Sequence, residues 1–405
     1  MANKIQYTFQ ENHHAQSAPT KYQPQDLKAE EVLLNVGPQH PATHGILRLE
    51  VITDGEVVVD VVPHLGHLHR CFEKHAEALP YNQLIPFVDR LDYLGAMNSE
   101  HAFAMGVEQM LGIADQLPPR VEYIRVLMAE LNRLASHFLA IGTYGVDLGA
   151  ATAFLWLMRD REHILRILEW ASGARLLYNY IWIGGLYYDL PVGFEERCGE
   201  LLQYLKPKLS EIDDLLLGNK IFIDRTANVG VLPLGMAINY SVSGPMLRAS
   251  GLRFDLRKVD GYAVYPDLEF EVPIGQGKMG LVGDCWDRTW VRMQECRASM
   301  GIIAQCLERL TGDLKRSPDF NPQQLVPKKI RTPAQDLYVR AENPRGELGF
   351  FFRATERGER PFRCKVRAPS FSNLAVLPAL AKGHLLSDLV AIVGSIDIVL
   401  GEIDR

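Results

Sequence analysis

From Arg120 to Phe138 the apolar residues Val121, Ile124, Leu127, Leu131, Leu134 and Phe138 recur at spacings of three and four, behind a Pro118-Pro119 start. Such a stripe commits the chain to a long helix whose apolar face must be buried against other elements. Ala153–Trp170 repeats the character, with Arg159, Asp160, Arg161 and Glu162 partly on the other side, where a solvated or subunit-facing surface is expected. Pro191 opens a further helix through about Leu217. With short glycine-containing joints expected at Gly142–Gly149 and Gly184-Gly185, helices dominate from about Leu68 to Leu217 and imply a helical bundle core.

The flanks read differently. Val32–Val36, Gly45–Ile52 and Val57–Val62 are β-rich, and the Asp54-Gly55 pair between the last two is a strong hairpin signal. Residues 1–30 are polar with little periodicity and read as an arm that orders only against something else. The stretch 220–283, rich in Gly and Pro, is expected to be loop-rich with short strands. A helix returns from about Asp284 to Leu310, and after the connecting segment Pro318–Pro333 short β runs follow at Asp336–Arg340, Leu348–Arg353 and Phe362–Val366. Asp388–Leu400 is an apolar helix or a buried strand, which periodicity alone does not decide. The fold class is α+β, mostly helical, divided as an arm (1–30), a β-hairpin region (31–66) and a main domain (67–405).

Composition narrows the function classes. The 405 residues are 47% hydrophobic and carry a net charge of -6, with no Lys/Arg run, so nucleic acid is disfavoured as a partner. Six cysteines, Cys71, Cys198, Cys285, Cys296, Cys306 and Cys364, form no Cys-x-x-Cys pair and read as reduced packing residues. No window approaches the roughly twenty apolar residues needed to span a bilayer, so membrane association is expected to come through partner subunits.

Single motifs are weak when taken alone. Gly275-Gln276-Gly277-Lys278-Met279-Gly280 spells a dinucleotide fingerprint, but Pro266 and Pro273 break the preceding stretch and no βαβ pattern follows, so a strand-to-helix loop is expected. His40 and His44 have helical metal-ligand spacing, yet Pro38, Pro41 and Gly45 oppose the helix and the zinc reading fails. Their tight Gly/Pro/His loop between strands is the kind that places functional groups on a rigid scaffold. Tyr93 would ordinarily be a core residue, and Asp147 a cap or turn carboxylate.

Longer motifs are specific. Arg90-Leu91-Asp92-Tyr93-Leu94-Gly95 resembles the Arg-x-Cys-Gly-x-Cys frame of hydrogenase large subunits, with Asp92 and Gly95 at the cysteine positions and Tyr93 at the glycine. The second cysteine pair of that family falls on Val399 and Glu402, so the soft donors that nickel, iron or a cluster need are gone and no metal is expected on this chain. Asn35–Pro41 with Thr43-His44-Gly45, Pro63–Gly66 with Leu68–Arg70, Asp89–Tyr93, Leu131–His137, Leu247–Gly251, Lys365–Phe371 and Glu402–Arg405 then occur in order. In these the chain resembles the D subunits of respiratory complex I, the proton-pumping NADH:quinone oxidoreductase, from about Leu33 to Arg405.

That resemblance implies a hydrogenase large-subunit-like bundle and a set of roles. The quinone headgroup contacts fall on His44 and Tyr93, with Asp147 as the acidic partner of His44; these three are the implied catalytic residues. An imidazole and a phenol can both donate to a two-carbonyl headgroup that takes up two electrons and two protons. Arg70 and His137 are the residues implied near the partner's cluster. No cofactor is implied on this chain: electrons come from an iron–sulfur cluster in the adjacent B-type subunit, and NADH is oxidised in other subunits. Further partners implied are the C-type subunit, the ferredoxin-like I-type subunit and the membrane H-type subunit, on the cytoplasmic side of the cell inner membrane. A related complex fed by ferredoxin or another donor is the alternative. Gly173-Ala174-Arg175-Leu176 is followed by Leu177 and Tyr178 in place of the family's histidines, and Trp182 replaces an arginine. Fewer cations beside the cluster lower its potential, which favours menaquinone over ubiquinone.

Overall fold

In the computed structural model, residues 31–38 and 45–405 are described; the arm expected over 1–30, and both His40 and His44, lie outside the described residues. The β-rich flank forms an antiparallel three-stranded sheet, β1 (Glu31–Val36), β2 (Arg48–Asp54) and β3 (Val57–His64), in the order β1-β2-β3. Gly55, at φ 60°, makes the expected Asp-Gly turn.

The helical part contains α1 (Phe72–Ala78), α2 (Tyr81–Val88), α3 (Ala96–Leu111), α4 (Pro119–Asp147) and α5 (Ala151–Ser172). After the small hairpin β4 (Ile181–Trp182) and β5 (Gly185–Leu186) comes α6 (Phe194–Ile212), continued by a π-helical turn over Asp213–Leu217. Four short helices follow, α7 (Lys220–Thr226), α8 (Leu234–Asn239), α9 (Pro245–Ala249) and α10 (Leu256–Val259), and then α11 (Cys285–Thr311). A second antiparallel sheet, β6 (Gln335–Asn343), β7 (Gly346–Ala354) and β8 (Arg363–Arg367), precedes α12 (Pro369–Ala375), α13 (Leu377–Ala381), α14 (Leu386–Ile396) and α15 (Leu400–Asp404).

α4 is the axis. It starts at Pro119 as the proline pair dictates, and it is buried almost all round, packed by α3, α5, α11 and α14. α11 begins where Asp284 accepts the Asp287 N–H at 2.8 Å, an N-cap that satisfies a helix-end donor.

Four sequence expectations are corrected. Gly142 and Gly145 do not end a helix: α4 runs on to Asp147, and Gly142 lies close against α5, where a Cβ would sit 3.3 Å from Phe154. The stretch 220–283 holds short helices and no strands, nucleated by caps such as Asn219 and Asp255, whose amide or carboxyl oxygens accept backbone N–H groups. Asp160 is buried, not solvated, accepting from Tyr204 at 2.9 Å and Arg159 at 2.8 Å, and Arg161 donates to the Ala135 carbonyl at 3.0 Å. Cys71 is exposed with φ 57° and is no packing residue, whereas the other five cysteines are buried. The open choice over Asp388–Leu400 resolves as a helix, α14. The fingerprint-like glycines form a loop leading into α11, though no strand precedes it: a Cβ on Gly275 would overlap the Ala249 carbonyl, and Gly277 N–H donates to Asp287 at 2.9 Å.

Candidate functional site

The turn between α2 and α3 carries Tyr93, and its shape follows from Asp92. One Asp92 oxygen accepts the backbone N–H groups of Leu94 at 3.2 Å and Gly95 at 3.1 Å, folding the segment back on itself. Gly95 is required there, because a Cβ would lie 2.6 Å from Asp92 Oδ2 and 2.8 Å from Asn343 Oδ1. Tyr93 itself is half-buried on a turn, not on a helix face. Burial above all raises its phenol pKa, with the charges of Asp92 and Asp397 adding to the effect and Arg345 and Arg70 opposing it. The phenol is thus a proton-bearing donor at neutral pH.

Two of the replaced cysteine positions, Asp92 and Glu402, act on one guanidinium, that of Arg345. This residue sits on the β6–β7 turn, where Asn343 pairs with Gly346 and Asn373 donates to the Arg345 carbonyl at 3.1 Å. Its guanidinium donates to both Asp92 oxygens at 3.1 Å, to Ser136 Oγ at 2.9 Å and to Asp397 at 3.2 Å. Arg292 approaches the other Asp397 oxygen at 3.8 Å. Glu402, fully buried on α15, accepts the Ser370 N–H at 2.9 Å, and Ser370 Oγ accepts the Val399 N–H at 3.2 Å. Where the hydrogenase frame has thiolates around a metal, this chain has carboxyls around a guanidinium, and that cation leaves the donor set unfit for a metal ion. Sequence reasoning misses Arg345, Asp397 and Ser370; the one available signal for Arg345 is its place in the turn-like spelling Asn343-Pro344-Arg345-Gly346.

A second ring of contacts closes the corner beside Tyr93. Asp404 accepts the Gly66 N–H at 2.9 Å and the Leu68 N–H at 2.7 Å, and its carbonyl pairs with His69 Nδ1 at 2.6 Å. Arg70 donates to the Arg90 carbonyl at 2.6 Å. α15 lies directly on this segment, since a Cβ on Gly401 would be 2.6 Å from the Leu91 carbonyl and 3.3 Å from the Arg70 guanidinium. The segments Val36–Pro38 and Gly45–Leu47, which flank the histidine pair in the sequence, leave the first sheet at the end where Arg48 pairs with His64. That strand end runs directly into Gly66–His69.

The other sequence candidates separate. Asp147 ends α4 with a carboxylate oxygen beside Gly394 of α14, three residues before Asp397. One helix end therefore links it to the cluster around Arg345. His137 is fully buried, its Nε2 at 3.0 Å from Glu295. Burial depresses the His137 pKa despite Glu295, while Glu295, against its own burial, is held down at about 2 by Arg248 and His137. This pair belongs to an internal network of Arg248, Asp255, Arg257, Glu130 and Glu342. His44 lies outside the described residues.

A family model described as "Respiratory-chain NADH dehydrogenase, 49 Kd subunit" matches residues 147–405. The D subunit of NADH-quinone oxidoreductase from Amoebophilus asiaticus is 75% identical over 405 residues, covering all of both chains. The first of the D subunits of the same enzyme from Cytophaga hutchinsonii is 68% identical over 380 residues, 94% of this chain and 97% of the relative, and that of Chlorobaculum tepidum is 55% identical over 94% of each. These matches settle the family: the chain belongs to the D subunits of NADH-quinone oxidoreductase, respiratory complex I, and is one component of that oxidoreductase.

Proposed function

We propose that this chain forms the wall of a quinone cavity together with the adjacent iron–sulfur subunit, and that Tyr93 and His44 donate hydrogen bonds and protons to the headgroup. The observation that carries this reading is the half-buried phenol of Tyr93, kept protonated by burial and set beside the Arg345–Asp92–Asp397 cluster. Reduction adds two electrons and two protons; the electrons are supplied by a partner's iron–sulfur cluster, and this chain's part is to bind, orient and protonate. Asp147 acts as the carboxylate partner of His44, and Arg70 and His137 as residues near the partner's cluster. The relatives' names support NADH as donor over ferredoxin.

No helix among the described residues is long and apolar enough to cross a membrane. In this reading the chain associates with the cytoplasmic side of the inner membrane through its partners, the B-, C-, I- and H-type subunits. Leu177 and Tyr178 offer no imidazole beside the cluster, which supports a low-potential quinone, menaquinone before ubiquinone. Tyr93→Phe, assayed in the assembled complex, is expected to lower quinone reduction by about 10²-fold, the usual worth of a positioned proton donor. Unchanged turnover and unchanged quinone-site inhibitor affinity would overturn the reading.

A further inference from the structure

Residues 269–276 run along α11, and the two enclose a groove of about 430 Å³, lined by Glu271, Pro273 and Gln276 on one side and by Trp290, Ala298 and Gly301 on the other. Exposure alternates at its start, with Glu269 and Glu271 exposed and Phe270 and Val272 more covered, the period of two that marks an extended chain. In such a chain the N–H and C=O of one residue point to one side, and those of the residue two along point to the same side. At Glu269 both groups are taken by a single side chain of α11. Its N–H donates to Gln305 Oε1 at 2.9 Å, and its C=O accepts from Gln305 Nε2 at 2.7 Å. The Gln305 amide thus stands where a neighbouring strand would put a peptide unit. The next rung belongs to Glu271, whose N–H and C=O have no hydrogen-bond partner among the described residues. Pro273 offers only a carbonyl, and the Gly275 N–H then donates to the Arg248 carbonyl at 2.8 Å.

α11 gives a second, independent sign at the same place. Gly301 lies one turn back from Gln305, on the same face of the helix, so it stands to the Glu271 rung as Gln305 stands to that of Glu269. Glycine is disfavoured against alanine inside a helix, and here the backbone is helical and a Cβ would meet nothing within 4 Å. Nothing within the described chain therefore calls for a bare backbone at 301. We propose that the Glu271 rung is a docking site for a short extended segment of another subunit of the complex, whose main chain pairs with Glu271 as the Gln305 amide pairs with Glu269. Recognition is by strand addition: a peptide unit presents one C=O and one N–H to Glu271, Gly301 admits its backbone to the face of α11, and Trp290 supplies an apolar wall. The missing N–H of Pro273 limits the pairing to a short run, which suits a tail or loop and not a full strand. The chain's place in a multi-subunit enzyme supplies such segments, and the inference stands apart from the quinone reading.

The assembled complex provides the test. Hydrogen exchange resolved at the Glu271 amide is expected to be slower than that of an unstructured amide by about 10²-fold; exchange at the unstructured rate would overturn the proposal. Three variants separate the main chain from the side chain. Glu271→Pro removes the donor at a place where the chain is already extended, Glu271→Ala keeps it, and Gly301→Leu fills the groove from open space without disturbing this chain's own packing. Glu271→Pro and Gly301→Leu are each expected to speed salt-induced release of a neighbouring subunit about tenfold, with Glu271→Ala behaving as wild type. Release unchanged in Gly301→Leu overturns the proposal even where Glu271→Pro does not fold. A loss of equal size in Glu271→Ala also overturns it, since the effect would then belong to the carboxylate. A photoreactive side chain in place of Gln276 identifies the occupant. A crosslink to a segment of another subunit supports the proposal, and a crosslink to this chain's own residues 1–30, or none at all, contradicts it.

Discussion

At the residue scale the site is a substitution of charge types. Asp92 and Glu402 are visible in the sequence as replaced ligand positions, but Arg345, 253 residues from Asp92 along the chain, is not, because no periodicity couples a turn arginine to a distant carboxylate. Its effect can be measured. Arg345→Met removes the cation that bridges Asp92 and Asp397, leaving buried carboxylates without it; a loss of about 3–5 kcal/mol is expected for breaking such a pair. Loss of this chain from purified complex, or its release at lower denaturant, is the readout, and wild-type assembly and resistance would show that the cluster contributes little. Asp160 and Tyr204 teach the same lesson: a charged helix face reads as solvated until a second helix supplies the partner that buries it.

At the element scale the long helices are legible because their apolar spacing is dictated by burial, and the helix ends are not, because glycines serve two purposes. Gly142 and Gly145 read as breakers in the sequence, yet both lie inside α4, and Gly142 is a contact point where α5 packs closely. α15 offers a direct test of this kind. Gly401→Ala places a Cβ 2.6 Å from a backbone carbonyl that cannot yield, so α15 is expected to shift off the Arg90–Leu91 segment and quinone reduction to drop about tenfold or more, the cost of misplacing a positioned group. Full activity with unchanged proteolytic resistance of α15 would contradict it. A second element depends on shared protons: Asp89 holds the Asn179 N–H at 3.0 Å and Glu100 holds those of Tyr180 and Ile181, at 2.9 and 2.6 Å, clipping the β4–β5 segment to α2 and α3. Burial is the main cause that raises Asp89 to about 6 and Glu100 well above the ordinary glutamate range, where the charge of Asp89 adds to it. A carboxyl whose folded pKa is raised favours the fold at low pH, and that stability is lost as pH climbs from about 4 through about 6. Asp89→Asn is therefore expected to be more stable than wild type by about 2–3 kcal/mol at pH 8 and to show no such advantage at pH 4, followed by thermal release of the chain from the complex. Equal stability differences at both pH values would rule out a shared proton.

At the scale of the whole molecule, the family and the mostly helical α+β fold are both readable from the sequence, because ordered motifs and periodicity survive without knowledge of contacts. The joint action of Asp92 and Glu402 on Arg345, and the pinning of Gly66–His69 by Asp404, are not, since they depend on closure of the two ends of the chain on one another. The absence of imidazoles after Arg175 bears on the complex as a unit: a redox titration of the terminal cluster is expected to give a low potential with weak pH dependence, and a high-potential, strongly pH-dependent cluster would argue for ubiquinone instead. Beneath all of these stands the claim that Tyr93 acts on quinone from a pocket where a metal frame has become an ion cluster. The measurement that bears on it most directly is quinone reductase turnover of the assembled complex carrying Tyr93→Phe, which keeps the ring and removes only the hydroxyl. A fall of about 10²-fold with the cluster still reducible is the expected result; turnover equal to wild type would contradict it.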